Sequence, residues 1–249
     1  MVVSRMLATA GAGLLVAALA GCGSVPKTLT VYAAASLQDS FTEIGSEFEA
    51  ANPGVTVAFN FDGSANLVAQ LQQGAPADVF AAADVKNMTK ATTDDLIEGK
   101  PVAFATNVLQ IVTPPDNPAA ITSIDDLDAP AVNVVLCAPQ VPCGSAALAV
   151  EKTAGIDITP VSEEQSVTDV LNKVRTGEAD AGLVYVTDVR AAGDAVTGIG
   201  LPEGAQTVNT YPIAALSGST RPDLAAAFVA FVSGTSGQSV LRARGFGPP

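Results

Sequence analysis

Val31-Tyr32-Ala33-Ala34-Ala35-Ser36-Leu37 and, further on, Phe59-Asn60-Phe61-Asp62-Gly63-Ser64-Ala65-Asn66-Leu67 decide the reading of this chain. Each is an apolar, strand-like run that ends at a serine and passes into a helical pattern. After Ser36, residues Phe41, Ile44 and Phe48 fall on one helical face; after Ser64, Leu67, Val68 and Leu71 do the same. A strand that turns straight into a helix leaves the first backbone N–H groups of that helix without intrahelical partners. The helix dipole makes the same spot favourable for an anion. Two such corners facing one point, each with a hydroxyl, would hold a small tetrahedral oxyanion without any formal positive charge. Taken singly, either serine could equally be an ordinary N-cap.

Outward from this stretch, strands and helices alternate, which predicts parallel sheets covered by helices. Strands are expected at Leu29–Ala34, Val55–Phe61, Val79–Ala82, Phe104–Thr113, Val132–Leu136, Ala181–Val186 and Tyr211–Leu216. Helices are expected from Ser36 to near Ala51, Ser64 to near Gln73, Gly144 to near Ala154, Ser166 to Thr176 and Pro222 to near Val232. Two such clusters, separated by long strands near Asn107 and Tyr211, imply an α/β fold of two lobes, each a mixed sheet flanked by helices, joined by a two-strand hinge. Residues 28–106 with 211–249 make the first lobe and 107–210 the second, the C-terminal helix returning to the first. Ligands of such folds bind in the cleft where strand ends and helix starts converge.

The beginning of the chain reads as a targeting segment. Arg5 precedes an apolar run from Leu7 to Ala20 that is too short to span a bilayer as a mature helix and ends in small residues. Leu19-Ala20-Gly21-Cys22 resembles the lipobox of bacterial lipoproteins, which implies cleavage after residue 21 and lipidation of Cys22. The alternative is an ordinary secretory cleavage site that contains a cysteine. Residues 22–27 then form a tether, and the mature protein is expected on the outer face of the cell membrane, held by its N-terminal lipid.

Beyond residue 21, 228 of the 249 residues remain, enough for one large or two small α/β domains. Hydrophobic residues make up 48% of the chain and aromatics 5%, so the core is built from Ala, Val and Leu. Without Arg5, 11 basic side chains face 25 acidic ones, and no basic stripe exists to track nucleic-acid phosphates. An anionic ligand must therefore be attracted locally, by dipoles. No histidine is present, which removes Ser-His-Asp and Cys-His catalysis and makes a zinc site improbable with one remaining cysteine pair. That pair, Cys137 and Cys143, could close a small disulfide loop in an oxidising compartment or stay as two thiols. A thiol oxidoreductase is a weak alternative, since the spacing is not Cys-x-x-Cys and no cation adjoins either sulfur. Asp78 and Asp84 read as turn and cap residues rather than catalytic carboxylates, and Ser162-Glu163-Glu164-Gln165 as a solvated capping loop.

Four motifs stand in register: Ala33-Ala34-Ala35-Ser36-Leu37, Gly74-Ala75-Pro76-Ala77-Asp78-Val79-Phe80-Ala81-Ala82-Ala83-Asp84, Val141-Pro142-Cys143-Gly144 and Ala181-Gly182-Leu183-Val184-Tyr185. In this order and spacing the chain resembles the molybdate-binding proteins of ABC importers, which are two-lobed type II periplasmic solute-binding proteins, and it does so over essentially its whole mature length. The resemblance implies a non-enzymatic, monomeric receptor without cofactor that captures molybdate or tungstate and delivers it to an ABC permease, molybdenum entering only as the oxyanion with no direct protein ligand. By position, Ser36 and Ser64 would donate hydroxyl and main-chain N–H, Cys143 and Val167 main-chain N–H, and Tyr185 its phenol. The family has a small residue such as alanine where Cys143 stands, a change harmless to ligation if only the amide is used. A pocket of donors suits an oxyanion that carries no proton near neutral pH. Phosphate would call for an acceptor carboxylate, for which Asp62 beside Ser64 is the one candidate. Sulfate or phosphate binding on the same fold is the nearest alternative.

Overall fold

In the computed structural model, which describes residues 27–201 and 207–249, strand β1 (Lys27–Ala34) starts at the last residue assigned to the tether. It runs parallel to β2 (Val55–Asp62) on one side and to β3 (Val79–Ala81) on the other. The targeting segment and Cys22 lie outside the described residues. Each βα connection in this sheet is tight. β1 passes through a single 3-10 turn, Ala35–Leu37, into α1 (Gln38–Ala51), and β2 passes through Gly63 alone into α2 (Ser64–Gln72). β3 leads to α3 (Val85–Thr93), capped by Asp84, whose carboxylate accepts from Asn87 N at 2.8 Å. Asp78 accepts from Thr30 N and from Ser219 Oγ, tying β3 to its neighbours. Both aspartates thus take the structural parts expected of them.

The long strand β4 (Val102–Thr113) carries the chain out of this sheet. Its residues 102–108 pair antiparallel with β9 (Val208–Ala215), and its residues 109–113 pair with β7 (Ala181–Tyr185) and β8 (Thr197–Ile199). β7 continues in parallel to β5 (Val134–Cys137), and β5 to β6 (Ser162–Glu164). The strand order is β2-β1-β3-β9-β4-β7-β5-β6, with β8 beside β4. The expected solvated loop at Ser162–Gln165 is therefore mostly an edge strand. Its polar residues are matched by Lys173, which donates to Glu164 Oε1 at 2.5 Å. Helices α4 (Pro142–Ala154) and α5 (Val167–Arg175) cover the second sheet, and α6 (Val186–Ala192) follows β7 without a gap. The C-terminal α7 (Pro222–Ser233) and α8 (Thr235–Ala243) pack on α1, β4 and β9, back at the first sheet.

Few aromatics are available, and they are concentrated. Phe41, fully buried on α1, has the ring centroids of Phe59, Phe104 and Phe228 at 6.2, 5.7 and 6.2 Å. Tilted and edge-to-face rings such as these contribute beyond their buried area. They lock α1 and α7 onto the first sheet, which fixes the direction in which the start of α1 points.

Candidate functional site

All five residues singled out in the sequence line one small pocket. Ser36 and Ser64 come from the first sheet, and Cys143, Val167 and Tyr185 from the second. Every one of them stands at or beside the start of a helix. Ser36 lies in the 3-10 turn that opens α1, Ser64 is the first residue of α2, Cys143 the second of α4, Val167 the first of α5, and Tyr185 precedes α6. The first ladder bonds run Leu67 N to Gly63 O, and Ser145 N to Val141 O. The N–H groups of Ser64, Cys143 and Gly144 therefore lie ahead of the ladder, where an anion can take them. Space is tight, with a cavity volume of about 10 Å³ open to the centre of a water-sized sphere. That is room for a small, compact group. Among the described residues, none that lines this pocket carries a carboxylate, an ammonium or a guanidinium.

The hydroxyls are wired to point inward. Ala83 N donates to Ser64 Oγ at 3.0 Å, so the serine proton is free for the pocket. Asn209 Nδ2 donates to Tyr185 Oη at 2.9 Å. Ser36 Oγ and Tyr211 Oη are 3.0 Å apart, with either hydroxyl able to donate, and Asn107 Nδ2 donates to Tyr211 Oη at 3.5 Å. Burial raises the Tyr185 phenol well above the ordinary tyrosine range, with Tyr211, Asp188 and Asp84 adding to the effect. Tyr211 is raised likewise, chiefly by burial. Both phenols thus stay protonated, and a protonated phenol is a donor.

Asp62 is turned away from the pocket. Its Oδ1 accepts from Gly63 N at 2.6 Å and Asn66 Nδ2 at 3.2 Å, and it is absent from the pocket lining. It offers no acceptor to a protonated ligand. Beside the pocket, sharing Ala35 and Ser36 with it, a larger hollow of about 440 Å³ is lined by Asp39, Asp188, Arg175, Arg190 and Arg244 among others. Burial pushes the Asp188 carboxyl up to about 7, the Tyr185 N–H opposes this, and Asp39 adds to it.

The two halves of the fold meet closely at one point that the sequence did not reveal. A Cβ placed on Gly63 would lie 2.0 Å from the Gln165 carbonyl oxygen and 3.5 Å from Val141 Cγ1. Asn107, Asn209 and Tyr211, which orient the hydroxyls, were also missed as site residues. No local signal marks them, because their partners are 24 to 175 positions away in the chain.

Cys137 and Cys143 are joined in a disulfide, with Cα atoms 5.7 Å apart, stapling the end of β5 to the first turn of α4. A bridge across six positions stabilises by about 2 kcal/mol, mainly by restricting the unfolded chain. Urea unfolding with and without a reductant should differ by about that amount. Anion affinity should weaken several-fold on reduction, because the Cys143 amide loses its anchor. Equal midpoints and equal affinity would mean that the loop is held by packing alone.

Two mixed sheets sharing crossing strands, with a donor-lined pocket where they meet, define the two-lobed type II solute-binding class. A family model for bacterial extracellular solute-binding proteins matches residues 29–247, and the chain belongs to that family. It is 49% identical over 248 residues to the molybdate-binding protein ModA of Mycobacterium tuberculosis, covering 95% of each chain. Among solved structures, the periplasmic molybdate-binding protein of Azotobacter vinelandii superposes with a TM-score of 0.76 at 20% identity, over 89% of this chain and 99% of that one. The sulfate-binding protein SubI of Mycobacterium tuberculosis gives 0.75 at 20% identity, over 89% and 87%. At such identities the two structural likenesses speak to the fold alone.

Proposed function

We propose that this chain is an extracytoplasmic receptor that traps molybdate, and tungstate with it, between its two lobes and hands it to an ABC permease. The observation that carries this reading is the pocket itself, which offers hydroxyl and main-chain donors and no acceptor carboxylate. Ser36, Ser64 and Tyr185 donate hydroxyls, and Ser36, Ser64, Cys143 and Val167 donate main-chain N–H. Molybdenum is held through its oxygens without direct protein ligands. Hydrogen bonds to a charged acceptor contribute roughly 1.5–3 kcal/mol each, so this set suffices for tight binding. The near-half identity to a molybdate-binding relative favours molybdate over sulfate.

The lobes in this reading are 28–106 with 211–249, and 107–210, turning about the β4–β9 pair; closure brings the anion into contact with both. The protein acts as a monomer, without cofactor or catalysis, anchored through lipidated Cys22. Thermal unfolding with matched concentrations of four anions tests the ligand. Molybdate and tungstate at 1,000 times their Kd should add about 4 kcal/mol, raising the midpoint by roughly 10 °C. Sulfate and phosphate should do far less. An equal shift with sulfate would overturn the choice of ligand, and no shift with any anion would reduce Ser36 and Ser64 to helix caps.

A further inference from the structure

We infer that Asn209 is a positioning residue that compels the Tyr185 phenol to donate into the pocket, and thereby biases the site toward oxyanions that carry no proton. The inference rests on the receptor reading above and goes beyond it. Asn209 lies on β9, 8% exposed, and its Nδ2 donates both to Ala83 O at 3.0 Å and to Tyr185 Oη at 2.9 Å. A backbone carbonyl can only accept, so Ala83 fixes which end of the amide faces it. The same nitrogen then meets the phenol, whose oxygen must accept.

With that lone pair engaged, the phenolic proton has two places to go. One is the Tyr211 phenol, a hydrogen-bond partner of Tyr185 that also faces Ser36 and Asn107. The other is the pocket that Tyr185 lines. An arriving dianion competes for that proton with its full charge and takes it. Hydrogen phosphate brings a proton of its own, which would meet the inward-pointing hydrogens of Tyr185 and Ser64. An acceptor in place of Asn209 would reverse the phenol: Tyr185 would donate to it and turn a lone pair toward the ligand.

The test is calorimetric titration of wild type, Asn209→Asp, Asn209→Leu, Tyr185→Phe and the Asn209→Leu/Tyr185→Phe double variant with molybdate and with phosphate, between pH 5.5 and 8. Asn209→Asp should lose at least tenfold in molybdate affinity at pH 8. It should recover as the pH falls and the carboxyl, once protonated, can donate to Tyr185 Oη. Its molybdate-to-phosphate ratio should narrow. Asn209→Leu should lose affinity at every pH, and this loss should vanish in the Tyr185→Phe background. A purely structural contact with Ala83 would give the same loss with or without the phenol and no pH dependence, and either result overturns the inference. If wild type binds molybdate and the Asp variant matches it, the inference alone falls. If wild type binds no anion, the receptor reading falls and the inference with it.

Discussion

Gly63→Val should leave the empty protein folded while weakening molybdate binding at least a hundredfold. Gly63 has φ −58° and ψ 136°, backbone angles that any residue adopts, so conformational freedom is not the reason for a glycine here. Space is the reason. A Cβ at this position would stand 2.0 Å from the carbonyl oxygen of Gln165, a backbone atom that cannot swing aside. Gln165 belongs to the opposite lobe of the proposed division, immediately before the Ser166–Val167 start of α5. In the proposed hinge motion the two part as the cleft opens, so valine would act as a wedge that the open form tolerates. A hundredfold loss corresponds to about 2.7 kcal/mol. Titration calorimetry, paired with the change in radius of gyration on adding molybdate, reads the effect directly. Wild-type affinity with normal compaction would sink the idea, as would an apo midpoint that drops in proportion to the lost binding.

Ser64→Ala should weaken binding by roughly ten- to a hundredfold, in line with the loss of one charge-assisted hydrogen bond of about 1.5–3 kcal/mol. It should also lower apo stability by about 1 kcal/mol, because Ser64 is 1% exposed and the Ala83 N–H that donates to it would lose its acceptor. The two losses separate cleanly in measurement, one in the titration and the other in the apo melt. Ser36→Ala provides the contrast. Ser36 is only half-buried, so water can replace its hydroxyl beside Tyr211 and affinity should fall with less change in the apo melt. Full affinity in both variants would show that these serines only cap helices.

The fold was legible where hydrophobic period and punctuation agree. The β1–α1 and β2–α2 corners stand within a residue or two of their expected limits, since Phe41, Ile44, Phe48 and Leu67, Val68, Leu71 are buried as their spacing requires. Elements were missed where tertiary contacts overrule local preference. Thr235-Ser236-Gly237-Gln238-Ser239 is a poor helical sequence, yet it opens α8, held by buried Val240 and Leu241 and by Gln238 donating to Phe104 O at 2.8 Å. β6 hides in an acidic run because it is a short edge strand whose charges are answered by Lys173. α6 begins with no turn residue to mark it, so strand and helix blur at Tyr185 and Val186. Residues that line the small pocket could be named from the resemblance that the motifs carry. Those that aim the hydroxyls could not, since Asn209 meets Ala83 and Tyr185 only through the folded topology.

The double contact of Asn209 has a consequence for unloading. Its amide spans from Ala83, on the first lobe of the proposed division, to Tyr185 on the second, from a strand that lies between them. Asn209 falls in the second lobe of that division together with Tyr185, so in the proposed opening its amide would part from Ala83, the carbonyl that fixes which end of the amide faces the phenol. The phenol then loses its enforced orientation at the moment the cleft opens. A permease that pries the receptor apart would therefore disarm the trap as well as uncover it, and the cargo would leave a pocket whose grip had already slackened.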